Sequence, residues 1–344
     1  MEKALFKKLN WAYICRGIIL FFIFTIAGFV FLFFYQQKSE FVLLKSVEII
    51  KQIHTKYFIL LIFMLLLDWL LGALRLYIFI PPVSSKVKFY DCFRANLANM
   101  FLGAVTPSQT GGGPAHLYIL YRAGCPLSAG IAFAFINFLS VVVALFGSTL
   151  LISWLNPPFL GSKINLLIKS SMILIFLWGL STAFALIFPS LALLVWEKIL
   201  SPLRHFSKIK SFLNYLQDFL KNYSTYANFY IRKRPQLLLM SILITLFLYL
   251  NKFLIAYVIL ALLGINANLL NVLSIQALLF LITYVSPSPG ASGIAEISAG
   301  YLMSKIIPVS YLSFFTFFWR CFTVYFAIPL GAFYLFKQLH KDLS

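Results

Sequence analysis

Six stretches of the chain, residues 11–35, 57–80, 126–151, 168–199, 236–264 and 308–336, are apolar over a length that spans a bilayer. A hydrocarbon core of about 30 Å needs roughly 20 such residues in a helix. Lipid gives the backbone no hydrogen-bonding partner, so each run must satisfy its own N–H and C=O groups and become helical. The runs are too long and too unalternating for barrel strands. Of 344 residues 62% are hydrophobic and only 11% charged, with a mean hydropathy of +0.93, which excludes a soluble globular domain. The expected fold class is all-α: a polytopic helical membrane protein with six or more full spans.

Charge sets the expected topology. The net charge is +19, from 28 Lys and Arg against 9 Asp and Glu. The basic residues collect between the apolar runs, where they act as topology signals and meet anionic headgroups, so nucleic acid is not an expected partner. Residues 198–234 carry Lys198, Arg204, Lys208, Lys210, Lys221, Arg232, Lys233 and Arg234 against Asp218 alone, and are expected to be cytoplasmic. Counting spans from there puts the N-terminus, segment 81–94 and the tail 337–344 on the same side, in an inner or plasma membrane. The first run lacks a small-residue cleavage site and is read as a retained span. Cys15, Cys92, Cys125 and Cys321 form no C-x-x-C pair and read as packing residues. Two linkers have helical amphipathic spacing: 41–53, suited to the membrane interface, and 201–230, suited to a cytosolic helix.

Two polar, glycine-rich segments interrupt this pattern, TPSQTGGGPAH at 106–116 and SPSPGASGIAE at 286–296. Aligned without a gap, 180 residues apart, they share Pro107/Pro287, Ser108/Ser288, Gly113/Gly293 and Ala115/Ala295. The positive-inside count makes the first segment enter and leave on the cytoplasmic side and the second enter and leave on the other. Opposed broken hairpins of this kind mark an inverted repeat, a transporter device that presents free backbone groups near the bilayer midplane. Short tilted spans, up to ten crossings in all, satisfy the same count. The organisation expected is a single transmembrane domain, 1–344. Its first half, 1–197, has a re-entrant segment near 96–122; a basic linker, 198–234, follows; its second half, 235–344, has a re-entrant segment near 272–304.

Candidate functional residues lie at the breaks and at charges inside apolar runs. A charge in the membrane interior costs at least a few kcal/mol unless paired or wetted. Asp68 and Arg75, seven apart in LLLDWLLGALRLY, share a helix face but need partners elsewhere, in a coupling or structural role. Arg320 is an available cation for Asp68 or for Glu296. Glu296 stands at a helix restart, where it can cap its own helix or meet a cationic headgroup or a proton. The run Thr110, Gly111, Gly112, Gly113 before Pro114 reads as an anion-binding turn with positive φ and exposed N–H groups. Thr106, Gln109, His116, Ser288 and Ser292 surround the breaks with donors and acceptors, and Arg94 and Arg122 flank the first; the set suits a lipid phosphate. His116 alone reads as a satisfied core histidine. No Walker motif, catalytic triad or metal-ligand spacing is present, so no cofactor, metal or catalytic residue is expected.

On these two motifs the chain resembles the lysylphosphatidylglycerol synthase transmembrane-region family of flippase-like proteins. The stretch 96–124 is similar to its first motif and SPSPGASGIAE to its second, a proline-glycine turn leading to G-x-x-E. The resemblance implies a membrane protein that moves lipids between leaflets. Larger members add a soluble domain that transfers lysine to phosphatidylglycerol. Only eight residues follow Phe336, so that chemistry is not expected here. The expected function is lipid translocation. The alternatives are a membrane component of a lysyltransferase or polyprenyl-lipid enzyme with a separate catalytic partner, and a scaffold or channel. Expected partners are membrane lipids, anionic phospholipid first, with a second copy of the chain or a partner enzyme also open.

Overall fold

The computed structural model describes residues 11–37, 54–155, 162–189, 191 and 207–343. The linker helix expected over 41–53, the N-terminal lysines, Lys198 and Arg204 lie outside the described residues. The described chain is helical, and all six expected spans appear as long apolar helices. In order the helices are α1 (Trp11–Gln37), α2 (Lys56–Tyr77), α3 (Phe89–Val105), α4 (Gly112–Ala123), α5 (Leu127–Leu155), α6 (Ser162–Ile187) and α7 (Ser207–Asn228). There follow α8 (Pro235–Leu262), α9 (Leu269–Val285), α10 (Ile294–Met303), α11 (Leu312–Arg320) and α12 (Ala327–Leu343). A π turn, Cys321–Tyr325, joins the last two into one span.

The helices turn apolar side chains outward as well as inward, as a bundle solvated by lipid must. Phe22, Phe31 and Phe34 of α1, Phe63 of α2 and Phe247 of α8 are exposed. The central pair is α2 and α8, which pack closely along their lengths. Their contacts run in opposite chain directions. His54 N–H donates to Leu262 C=O at one end (3.0 Å) and Asn251 Nδ2 to Met64 C=O midway (2.9 Å). At the other end Tyr230, just before α8, donates to Phe79 C=O, just after α2 (3.1 Å).

Two hairpins, α3–α4 and α9–α10, use this pair as their wall. The first starts beside the C-terminus of α2, where the rings of Tyr77 and Phe89 lie 5.6 Å apart. The second starts just past the C-terminus of α8, on the Asn268 side chain, which caps α9 by accepting from Asn271 N–H (3.2 Å). Since α2 and α8 are antiparallel, the hairpins enter from opposite ends. Their tips meet in an antiparallel bridge between Pro107 and Pro289.

The tips are built alike. Thr106 and Ser288 C=O accept from Gln109 and Ala291 N–H at 3.2 and 3.0 Å. Pro107 and Pro289 C=O accept from Thr110 and Ser292 N–H at 3.1 and 2.9 Å, and from the hydroxyls of the same two residues at 2.9 and 2.7 Å. Ser108 and Gln109 have φ of 50° and 57°; Gly290 and Ala291 have 56° and 58°. The structural equivalence is therefore Pro107 with Pro289, an offset of 182, whereas α3 and α9, both 17 residues long, start 180 apart at Phe89 and Leu269. The second break holds two more residues, so the gapless pairing of Pro107 with Pro287 is out of register. Pro126 and Pro308, which open the final span of each half, again stand 182 apart. A bridge between equivalent residues is what a local two-fold axis produces. The repeated unit is span, hairpin, span: α2 to α5, then α8 to α12.

The remaining elements brace the repeat. Helix α1 lies along both tips; a Cβ on Gly28 would stand 3.1 Å from Gly293 Cα, so only glycine lets the helix come this close. The amphipathic linker forms α7 as expected and docks on α5 and α6, with Tyr223 donating to Ala185 C=O of α6 (3.1 Å).

Exposed Lys86 precedes the first hairpin and exposed Asn268 the second. In a cysteine-free background, Lys86→Cys and Asn268→Cys should react with an impermeant maleimide from opposite faces of the membrane. Reaction of both from one face would refute the opposed arrangement.

Candidate functional site

Between the hairpins and the α2–α8 wall lies a cavity of about 610 Å³, the size of an ordinary ligand pocket. Of the residues singled out by sequence, Asp68, Arg75, Gln109, Gly113, His116 and Arg320 line it. Arg94, Thr106, Thr110, Gly111, Gly112, Arg122, Ser288, Ser292 and Glu296 are not part of its lining. The reasons are local.

Arg94 pairs with Asp91 one turn earlier and lies over the Tyr90 ring; Arg122 pairs with Asp342 of α12, which also accepts from Tyr118. Arg122 fastens hairpin one to α12 at its base, whereas Arg94 stays within its own helix. Thr106 Oγ1 accepts from Gly111 N–H (2.8 Å) and donates to Leu102 C=O, closing the first break. Gly112 N–H is taken by Gln109 C=O (3.2 Å). The amides of Thr110, Gly111 and Gly112 in the expected anion-binding turn are thus taken up within the break, while Gly113 lines the cavity. Positive φ falls on Ser108 and Gln109, and Gly111 is helical at −74°. Gly112 is required by space: a Cβ there would collide with Asn99 Oδ1. Ser288 and Ser292 are likewise internal, the former sharing a hydrogen bond with Ser286 (3.0 Å).

Glu296 caps its own helix. One carboxylate oxygen accepts from Gly293 N–H at 2.6 Å; the other lies 2.7 Å from Arg320 Nε and 3.3 Å from Tyr325 Oη. Both charged side chains are buried, at 0% and 2% exposure. Arg320 also donates to Gly290 C=O at the second tip (3.1 Å) and sits over the Tyr325 ring. It is held where α11 passes into the π turn, a distortion frequent at functional sites. One cation thereby joins the final span, the restarted helix and the tip. Arg320 is the partner of Glu296; the partner of Asp68 is Lys252 of α8, with Nζ 2.9 Å from the carboxylate.

Lys252 was missed by reading intramembrane acids without intramembrane bases, although a lysine within the 236–264 run carries the same signal. Tyr249, Tyr284, Asn96, Asn99 and Asn137 also line the cavity and were missed, because isolated polar residues in an apolar run have no motif. Asn137 belongs to a buried polar clasp between α5 and α8: its Oδ1 accepts from Ser241 (2.9 Å), which pairs with Ser140 (2.9 Å).

Several polar groups of the lining lack a hydrogen-bond partner, among them Asp68 Oδ1, Arg75 Nε, Asn137 Nδ2 and Trp319 Nε1. Arg75 makes no ion pair among the described residues, and its Nε is buried without a hydrogen-bond partner. His116 is 8% exposed and lines the cavity, one turn after Gly112 on α4.

Comparison with known proteins agrees on one lineage. Residues 14–331 match the family described as "Lysylphosphatidylglycerol synthase TM region". A "UPF0104 membrane protein" of Archaeoglobus fulgidus is 28% identical over 288 residues, covering 77% of this chain and 81% of its own. No solved structure matches.

Breaking a buried ion pair by removing one partner costs about 3–5 kcal/mol, because the other charge stays buried and unpaired. Glu296→Gln and Arg320→Gln should each lower the melting temperature in detergent well below wild type. The joint replacement Glu296→Leu/Arg320→Met should lose less than the two single effects added together. Additive losses would show that the two residues act independently.

Proposed function

The chain belongs to the lysylphosphatidylglycerol synthase transmembrane-region family, and from that premise we propose that it is a lipid translocase. A polar headgroup crosses through the cavity while its acyl chains stay in the bilayer. The observation that carries this reading is the tip-to-tip contact of two opposed, similarly built hairpins beside a polar cavity walled by two antiparallel spans. Each hairpin is then re-entrant, leaving the bilayer on the side from which it came, and the halves form an inverted repeat. In such repeats the site lies where the broken helices meet, and access alternates as one half rocks against the other.

Charge orients the molecule in a cell membrane. Lys86, Lys88, Arg122, Arg232, Lys233, Arg234 and Lys337 belong to the end at which hairpin one enters, which is therefore the cytoplasmic end, with both termini on that side. Trp178 of α6 lines the cavity yet is 46% exposed among lipid-facing neighbours, which suits a lateral passage for acyl chains. With no nucleotide-binding motif in the sequence, exchange runs downhill or is coupled to an ion.

The tip contact is the thin layer that must open. Equivalent residues across an antiparallel pair have Cα atoms about 4.5–5.5 Å apart, within disulfide range. In cysteine-free protein reconstituted into liposomes, Pro107→Cys/Pro289→Cys should cross-link on oxidation. Leaflet exchange of headgroup-labelled lipid should then stop and return on reduction. Exchange at the wild-type rate in fully cross-linked protein would remove the tips from the path. Failure of wild-type protein to exchange any lipid class would remove the translocase reading itself.

A further inference from the structure

The charges around the cavity do not cancel. Asp68 is matched by Lys252 and Glu296 by Arg320, both within direct contact. Among the described residues this leaves one fixed charge in the lining, Arg75, without a counter-ion. Its electrostatic neighbours are Tyr249, Tyr284 and Asp68, and of these only Asp68 is acidic and already held. His116, on the facing hairpin, lines the same cavity and lies close enough to feel the Arg75 charge. Gln109, exposed at the first tip, and Asn99 complete the same wall. A buried guanidinium without a counter-ion inside an apolar bundle stays folded at a cost that an anion with several acceptor oxygens removes, and the imidazole beside it can add a donor to that anion.

We infer that Arg75 and His116 form a phosphate subsite in the cavity, and that the headgroup it accepts is net anionic, carrying no amine or amino acid. The inference rests on the translocase reading and adds to it the charge class of the cargo. The second half follows from the same charge accounting. A cationic amine entering beside the phosphate needs a free carboxylate; both acids near the cavity are occupied, Asp68 by an ammonium group and Glu296 by a guanidinium. The charge left over, on Arg75, would repel it. The cavity is thus suited to a phosphodiester such as that of phosphatidylglycerol, and is mismatched to its lysyl ester.

Full-length protein in detergent can be titrated with short-chain phosphatidylglycerol, phosphatidylcholine, lysyl-phosphatidylglycerol and inorganic phosphate, following the thermal shift and intrinsic tryptophan fluorescence. Phosphatidylglycerol is expected to bind and stabilise; the zwitterionic and lysylated lipids should bind at least about tenfold more weakly, the scale of one lost charge-assisted contact. Arg75→Gln should reduce phosphatidylglycerol affinity by about tenfold or more, with Arg75→Lys retaining part of it. Asp68→Asn, which releases Lys252, should move affinity the opposite way, so a loss through misfolding is distinguishable from a loss of charge. Equal binding of the three lipids, or unchanged affinity in a folded Arg75→Gln protein, overturns the subsite. Displacement of phosphatidylglycerol by equimolar inorganic phosphate assigns the site to the free ion and overturns its role for lipid. These measurements need no transport: a protein that exchanges lipid without charge preference refutes the inference alone, and one that exchanges nothing refutes the translocase reading.

Discussion

A backbone that stops being helical at membrane depth has no water to absorb its freed N–H and C=O groups, and the architecture of this protein follows from how it meets that requirement. Each break folds its polar groups back on itself. The carbonyl of a proline takes both the amide and the hydroxyl of the Thr or Ser three residues on, at Thr110 in one tip and Ser292 in the other. Two residues in the first tip and three in the second adopt positive φ, and for Ser108, Gln109 and Ala291, which are not glycine, this costs energy and persists only where the surroundings fix it. Those surroundings are the opposite tip, α1 and the α2–α8 wall.

Self-closure also explains why the breaks are poor ligands and good boundaries. The glycines after Thr110 have the composition of an anion-binding turn, and their geometry is that of a turn whose own carbonyl and hydroxyl groups occupy its donors. Groups left unsatisfied in the cavity wall are side chains on regular helices, Asp68 Oδ1 and Arg75 Nε on α2 and Asn137 Nδ2 on α5 among them. Rigid elements hold such groups more accurately than loops do.

The spans, the two breaks and the amphipathic α7 were legible because each rests on a signal spread over many residues: length, hydrophobicity and helical period. The likeness of the two breaks was legible in kind but not in register. Two extra residues in the second break shift Pro289 opposite Pro107, and a gapless alignment of short, glycine-rich segments rewards the wrong prolines. The pairings of charges were not legible. Asp68 and Glu296 each had several candidate partners, and which cation reaches which acid depends on helix rotation. That rotation is set by close approaches such as Gly28 on the second tip and by the π turn that swings Arg320 inward. That His116 lines the same cavity as Arg75 depends likewise on how the hairpin is set against the wall.

The two halves differ in charge as well as in length. Hairpin two carries Glu296, tied to Arg320 and Tyr325 and through Arg320 to Gly290; the structural counterpart of Glu296 in hairpin one, at the same offset as the prolines, is Pro114, which carries no charge and can make no such tie. Hairpin one is anchored at its base instead, by Arg122 and Tyr118 on Asp342 of α12. One break is locked at its tip by a buried charge from its own half and the other is held where it meets the last helix of the opposite half, so the two are unequal in what it costs to displace them.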